Sequence, residues 1–278
     1  MKRKILVIHN GYPLRGDGGD KVRTLNMLQS LDSIGFDVCL LAFFKKDFSL
    51  LALNKKSMPS NIKSYFIFTL PDRWGLGGIA ALFRAVITWI IVKCNHIELI
   101  QLETSLSASC VRYLKKNILV VTDFHADPVP ELQMNGRTKS SINRAEKDVC
   151  YALSRSQRII AVSNNLANNL KKYYSYDCPF SILPCSFNSE KFHIDPAQMI
   201  ALREKMHLKE RIVLCYLGGL QKWQCVEETL DIFLRLKKKD DRYFLCIYTN
   251  DDLISNLHSS FNNSGCSVIY SFKAVTII

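Results

Sequence analysis

The chain has 278 residues, 48% hydrophobic and 22% charged, which excludes a disordered chain and predicts two domains of ordinary size. Its formal charge of +12 is uneven, with +11 in residues 1–189 and +1 in residues 190–278, so an anion-binding surface is expected only in the first part. No RNA-binding or zinc-finger signature points to nucleic acid, and ten single cysteines without a CxxC pair read as reduced core residues of a cytosolic protein.

After Met1-Lys2-Arg3-Lys4 the apolar run 5–8 is far too short for the core of a secretory signal, so the chain is expected to stay in the cytoplasm. Short apolar runs then alternate with longer helical patterns, as successive βα units of a parallel sheet do. Strands are expected at 4–9, 37–44, 62–68, 97–102, 118–123, 158–162 and 180–183. Their apolarity on both sides suits a sheet covered on both faces.

Helices are expected at 20–34, 78–93, 105–115, 137–154 and 164–174. Within 137–154, Arg144, Lys147 and Asp148 fall opposite Ile142, Ala145, Val149 and Leu153, the pattern of a surface helix packed on a sheet. Residues 79–92 form a membrane candidate of 14 residues with Arg84 in the middle. A span needs about 20, so a buried or interfacial helix is expected there.

The pattern loosens over 185–196, which places the boundary between a first domain, 1–189, and a second, 190–278. The second set comprises a helix at 196–206 opened by Pro196, a strand at 211–217, a helix at 225–238, a strand at 243–248, a helix at 251–260 and a strand at 267–270. Three strands are fewer than a doubly wound sheet usually has. The tail 271–278 shows neither cap nor following helix, so the second domain reads as incomplete.

Several strand ends carry polar residues. The first strand runs into Asn10 to Gly19, a loop with four glycines, Gly18 and Gly19 among them, at the edge where open α/β sheets bind ligands. A glycine-rich turn of no special function fits it as well, and the dinucleotide fingerprint G-x-G-x-x-G is absent. The strand at 118–123 delivers Asp123, His125, Asp127 and Glu131 on a loop expected to be stiffened by prolines. Such groups can position a sugar and stabilise developing charge, although a turn-forming aspartate and a loop histidine remain equally open.

Ser163 with Asn164 is adequately explained as a helix N-cap. In the second part, Gly218 and Gly219 would admit a phosphate, and Lys222 would add a point charge at a helix start. A merely solvated lysine is the competing reading.

Taken in order, these segments resemble family-four-type glycosyltransferases of bacterial polysaccharide assembly, nearly throughout the chain up to about Tyr270. The family pattern has a glycine-rich first loop (Gly16 to Gly19), an Asp-x-His segment with a downstream glutamate (Asp123, His125, Glu131) and a Val-Ser helix start (Val162, Ser163). An Ile-Pro-Cys-like crossover (Leu183-Pro184-Cys185) and a Gly-Gly…Lys-Trp-Gln turn (Gly218, Gly219, Lys222 to Gln224) follow. Position 126 is alanine where relatives have glycine, and the arginine many relatives carry before the lysine is absent.

The resemblance implies an α/β fold of two Rossmann-like domains, the GT-B architecture, with the second incomplete. It implies a metal-independent, retaining transfer from a UDP- or GDP-type nucleotide-sugar donor, which is the substrate, with no cofactor. The acceptor would be a glycan or lipid-linked, with peripheral contact at the anionic inner face of the cell membrane and no nucleic-acid partner. His125 and Asp123 would act at the donor sugar, Lys222 on the departing phosphate, Gly18, Gly19, Gly218 and Gly219 around the diphosphate, and Glu131 and Ser163 on the substrate.

The family's pair of donor-binding glutamates normally follows beyond the point where this sequence stops, and the tail 271–278 is what a frameshift or premature stop would leave. Two readings therefore stand: a sugar transferase, and a catalytically silent remnant that binds acceptor or membrane. A nicotinamide-dependent oxidoreductase is disfavoured by the missing fingerprint.

Overall fold

A computed structural model of the chain describes residues 2–11, 19–44, 61–70, 77–185, 195–249 and 269–271. The chain divides into two compact units, residues 1–133 with 137–186, and residues 134–136 with 187–278. The expected helix at 251–260 and most of the tail lie outside the described residues.

The first unit is built on a parallel sheet of seven strands: β1 (Lys4–Asn10), β2 (Asp37–Phe44), β3 (Lys63–Phe68), β4 (Leu99–Glu103), β5 (Leu119–Phe124), β6 (Arg158–Ala161) and β7 (Phe180–Ile182). Their order is β3-β2-β1-β4-β5-β6-β7. Successive side chains of a strand point to opposite faces. Leu6, Ile8, Leu41 and Phe43 therefore join one buried cluster, and Ile5, Val7, Leu40 and Ala42 join the other. Each fully buried Leu, Ile or Phe contributes roughly 1.5–3 kcal/mol. This two-sided burial is why the strands read as unbroken apolar runs.

The helices are α1 (Gly19–Ser33), α2 (Gly77–Asn95), α3 (Pro128–Met134), α4 (Lys139–Arg155) and α5 (Asn164–Tyr174). The α4 helix starts at the Thr138 cap, whose side chain accepts from the Ser141 amide, and buries Ala145, Val149, Ala152 and Leu153. Two expectations need correction here. Residues 105–115 form not an α-helix but a 3-10 helix, Ser105–Val111, in which Ser107 Oγ donates to the Glu103 carbonyl at 3.0 Å. Serine hydroxyls that bond nearby backbone compete with regular α-helix.

The expected proline-stiffened loop after β5 is largely the short helix α3. Asp127 caps it by accepting from the Val129 amide at 3.0 Å, and Pro128 and Pro130 sit in its first turn. Amides there have no intrahelical partner, so proline costs nothing. The cysteines are also less uniform than expected: Cys39, Cys110, Cys178 and Cys246 are buried, whereas Cys94, Cys150, Cys185, Cys215 and Cys225 are exposed.

The α2 helix is longer than its sequence pattern suggests, at 19 residues, and is long and apolar enough to cross a membrane by length and composition. Yet Arg84, at 4% exposure, faces the protein interior with Ala80, Ala85, Thr88, Ile91 and Val92. The opposite side exposes Ile79, Leu82, Phe83, Val86, Trp89 and Ile90.

The second unit contains α6 (Pro196–Lys205), β8 (Ile212–Leu217), α7 (Val226–Lys239), β9 (Tyr243–Thr249) and β10 (Ile269–Ser271), with parallel strands in the order β10-β9-β8. Asp195 caps α6 by accepting from the Ala197 amide at 2.9 Å, with Pro196 at the first helical position. Its described buried cluster is small: Phe233, Leu245 and Ile247.

Candidate active site

Strand order reverses direction between β1 and β4, and the carboxyl ends at that switch point are where open α/β sheets bind ligands. There β1 supplies His9, β4 supplies Glu103, β5 supplies Asp123 and then His125, and α1 supplies Asp20, Arg23 and Thr24. Gly11, at φ +157°, leaves room for the His9 ring, since a Cβ there would lie 2.9 Å from His9 Cε1.

The side chains of Asp123 and Glu103 are fully buried, and each is held by several partners. Arg23 Nε donates to Asp123 Oδ2 at 2.9 Å and Arg23 Nη2 to Oδ1 at 3.0 Å, a two-pronged charged pair. Glu103 Oε1 accepts from Gln101 Nε2 at 2.7 Å and Oε2 from Thr24 Oγ1 at 3.1 Å. His125 Nε2 lies 3.3 Å from Glu103 Oε2 and 3.4 Å from Asp123 Oδ2.

The two imidazoles are shifted in opposite directions. Burial lowers the His9 pKa, with Glu103 and Asp20 offsetting only part of it. Burial acts on His125 in the same direction, but hydrogen bonding and charge from Asp123 and Glu103 outweigh it and raise its pKa to about 9. A pKa there favours the protonated ring at neutral pH; the side chain is 13% exposed, Nε2 meets the two carboxylates as an ion pair, and neither ring nitrogen has a hydrogen bond of good geometry among the described residues.

Thr104, next to Glu103, adopts φ 65° and ψ 165°, a region where β-branched residues are outliers and the cost is about 1–3 kcal/mol. Its amide donates to the Asp123 carbonyl at 3.0 Å and its Oγ1 accepts from the Leu106 amide. The strained residue thereby locks the end of β4 against β5. Glu103, Asp123 and His125 each offer a metal-ligand atom, all within 4.8 Å. A cation there would have to displace the Arg23 pair and deprotonate the imidazolium, so the donor set suits a metal poorly.

The structure brings together Asp123 and His125 from the sequence-based expectation, with Gly19 opening α1; Gly18 lies outside the described residues. Asp123 is paired with Arg23. Glu131 lies half-buried on α3, its carboxyl raised by burial and by Asp127. Ser163 is occupied as the cap of α5, accepting from the Leu166 amide at 3.2 Å.

In the second unit the Gly219 carbonyl accepts from Tyr216 Oη at 2.6 Å and the Gly218 amide donates to the Tyr248 carbonyl at 3.1 Å. Lys222 is exposed, in a single 3-10 turn, Lys222–Gln224, at the entrance to α7. The first turn of α7 carries Glu227 and Glu228, which already complement its positive end.

Arg23, Thr24, Glu103 and His9 lie outside the sequence-based expectation. A charged residue on the apolar side of α1, beside Thr24 and Leu28, was the available signal for Arg23. A carboxylate directly after the apolar run 97–102 was the signal for Glu103.

A parallel seven-stranded Rossmann-like sheet with a charged cluster at its switch point, followed by a second Rossmann-like unit, defines a GT-B-type α/β architecture. Solved structures share it. HepE of Anabaena, solved with UDP and glucose, superimposes with a TM-score of 0.67 at 16% identity, covering 98% of this chain and 70% of that one. Sucrose-phosphate synthase of Thermosynechococcus elongatus gives 0.67 at 14% identity, covering 97% and 70%. TarM of S. aureus, solved with UDP among its ligands, gives 0.66 at 8%, covering 98% and 78%. The chain belongs to Glycosyltransferase Family 4, whose profile matches residues 17–191. No curated protein matches it in sequence.

Proposed function

We propose that the chain moves a sugar from a UDP- or GDP-type donor to a glycan or lipid-linked acceptor, with retention of configuration and without a cofactor. The observation that carries this reading is the His125 ring, set against the Glu103 and Asp123 carboxylates with a buried Nδ1 that has no hydrogen-bond partner among the described residues: such a group is costly, and an oxygen of the donor sugar would satisfy it. Family membership and the UDP seen in HepE and TarM support the donor class.

In this reading the bond between the anomeric carbon and the diphosphate oxygen breaks. The acceptor hydroxyl oxygen bonds that carbon on the same face, and its proton passes to the departing diphosphate. The family pattern assigns Gly18, Gly19, Gly218 and Gly219 to the diphosphate, Lys222 to its charge, and Glu131 and Ser163 to the substrates, and this reading keeps those roles. Release of UDP or GDP on adding a lipid-linked acceptor tests this, with His125→Ala expected to slow release about 100-fold or more. Acceptor binding with no nucleotide release from the parent chain would instead favour the silent binding module.

The membrane contact in this reading is assigned to α2, at the cytoplasmic face. Its six exposed apolar side chains form one stripe at helical spacing, while inward-facing Arg84 leaves that stripe uncharged. Alongside lies the basic face of α4, a hollow of about 550 Å³ lined by Lys139, Ser140, Asn143, Arg144 and Lys147. The Arg144 guanidinium reaches the first residue of α2, where a Cβ on Gly77 would sit 3.2 Å from Nη1. Apolar insertion beside a cationic rim suits an anionic lipid surface.

A further inference from the structure

Arg23 takes no part in the transfer as written above, yet its guanidinium joins three separate parts of the first unit. Besides its pair with Asp123, Nη2 donates to the Leu183 carbonyl at 2.9 Å and Nη1 to the Pro184 carbonyl at 3.2 Å. Those carbonyls follow β7, at the last described residues of that unit before residue 195. Its side chain is only 8% exposed, and an ion pair so deeply buried gains little net stability over an apolar replacement.

The shared atom is Asp123 Oδ2, which takes the Arg23 Nε hydrogen on one side and lies 3.4 Å from His125 Nε2 on the other. We infer that Arg23 is a positioning residue for the proposed transfer: through Asp123 it fixes the His125 ring, and through the Leu183 and Pro184 carbonyls it fastens the chain segment after β7 to the same carboxylate. A displacement of residues 183–184 then moves the fork, the carboxylate and the ring together. Lysine could supply the charge but not the fork, because a single ammonium cannot address both carboxylate oxygens and two carbonyls in one plane. This role rests on His125 serving the donor, as proposed above.

The test uses the full chain with Arg23→Lys and Arg23→Gln, read by donor turnover and by NMR titration of the His125 side chain. Asp123 on β5 and Glu103 on β4 face that ring and His9 on β1 is coupled to it, while from α1 Arg23 is paired with Asp123 and Asp20 faces His9. Losing the guanidinium leaves the carboxylates less neutralised, so the His125 midpoint should rise by about one unit in Arg23→Gln. In Arg23→Lys, kcat should stay about tenfold or more below the parent, with the KM for donor little changed.

Full turnover in Arg23→Lys together with an unmoved His125 midpoint in Arg23→Gln would overturn the role. If the Gln variant does not fold, the Lys variant carries the titration, where an unmoved midpoint with full turnover has the same force. If the parent chain transfers no sugar, the role in transfer falls with that reading; a moved midpoint then shows only that Arg23 sets the surroundings of the His125 ring, and an unmoved one overturns that as well.

Discussion

At the level of single residues, the site is a balance of charges buried together, and His125 makes that balance visible to pH. Its pKa is about 9 in the folded chain against an ordinary 6.5. A group with a raised folded pKa contributes stability that is complete below about pH 6.5 and is lost as pH climbs through about 9. Thermal melting should therefore fall over that window in the parent chain and fall less in His125→Ala; equal slopes would remove the imidazolium from the site. Thr104 gives a second prediction. Thr104→Gly relieves the backbone and should raise stability by about 1 kcal/mol or more. It should also loosen Glu103 and lower turnover, whereas a variant less stable than the parent would show that the threonine is unstrained.

Among the secondary-structure elements, the strands were legible because burial on both faces leaves a continuous apolar run, and the β2 bounds, Asp37–Phe44, coincide with that run. The Ser163 cap and the Pro196 opening of α6 were equally legible, since both act through their immediate neighbours. The Arg23–Asp123 pair was not, because its members are 100 residues apart and only the sheet order brings them together. Likewise Arg84 reads as a charge interrupting an apolar stretch until the helix shows it turned inward. From that geometry, Val86→Asp or Trp89→Asp should weaken binding to anionic vesicles roughly tenfold or more, the size of losing one buried apolar side chain. Each neutralised cation among Lys139, Arg144 and Lys147 should cost about 1 kcal/mol. Unchanged co-sedimentation of these variants would remove α2 from the contact, and a shift from dimer to monomer would reassign the stripe to a second copy of the chain.

For the whole molecule, the two units differ in how much apolar surface they enclose. The first holds two extensive clusters on either side of its sheet, whereas the described part of the second encloses Phe233, Leu245 and Ile247 and leaves Leu217, Ile232 and Ile200 in solvent. Limited digestion should accordingly cut within 212–278 well before it cuts residues 19–44 or 99–124, and equal protection of both units would contradict this. The strand order carries one more consequence, for the order of events as the chain leaves the ribosome. β1 is made first but lies in the sheet's interior, bonded to β2 on one side and to β4 on the other. Its second edge stays unfilled until residues 99–103 emerge, so the nascent chain must shield an open apolar strand through nearly a hundred residues of synthesis, the interval in which a chaperone has the most to cover.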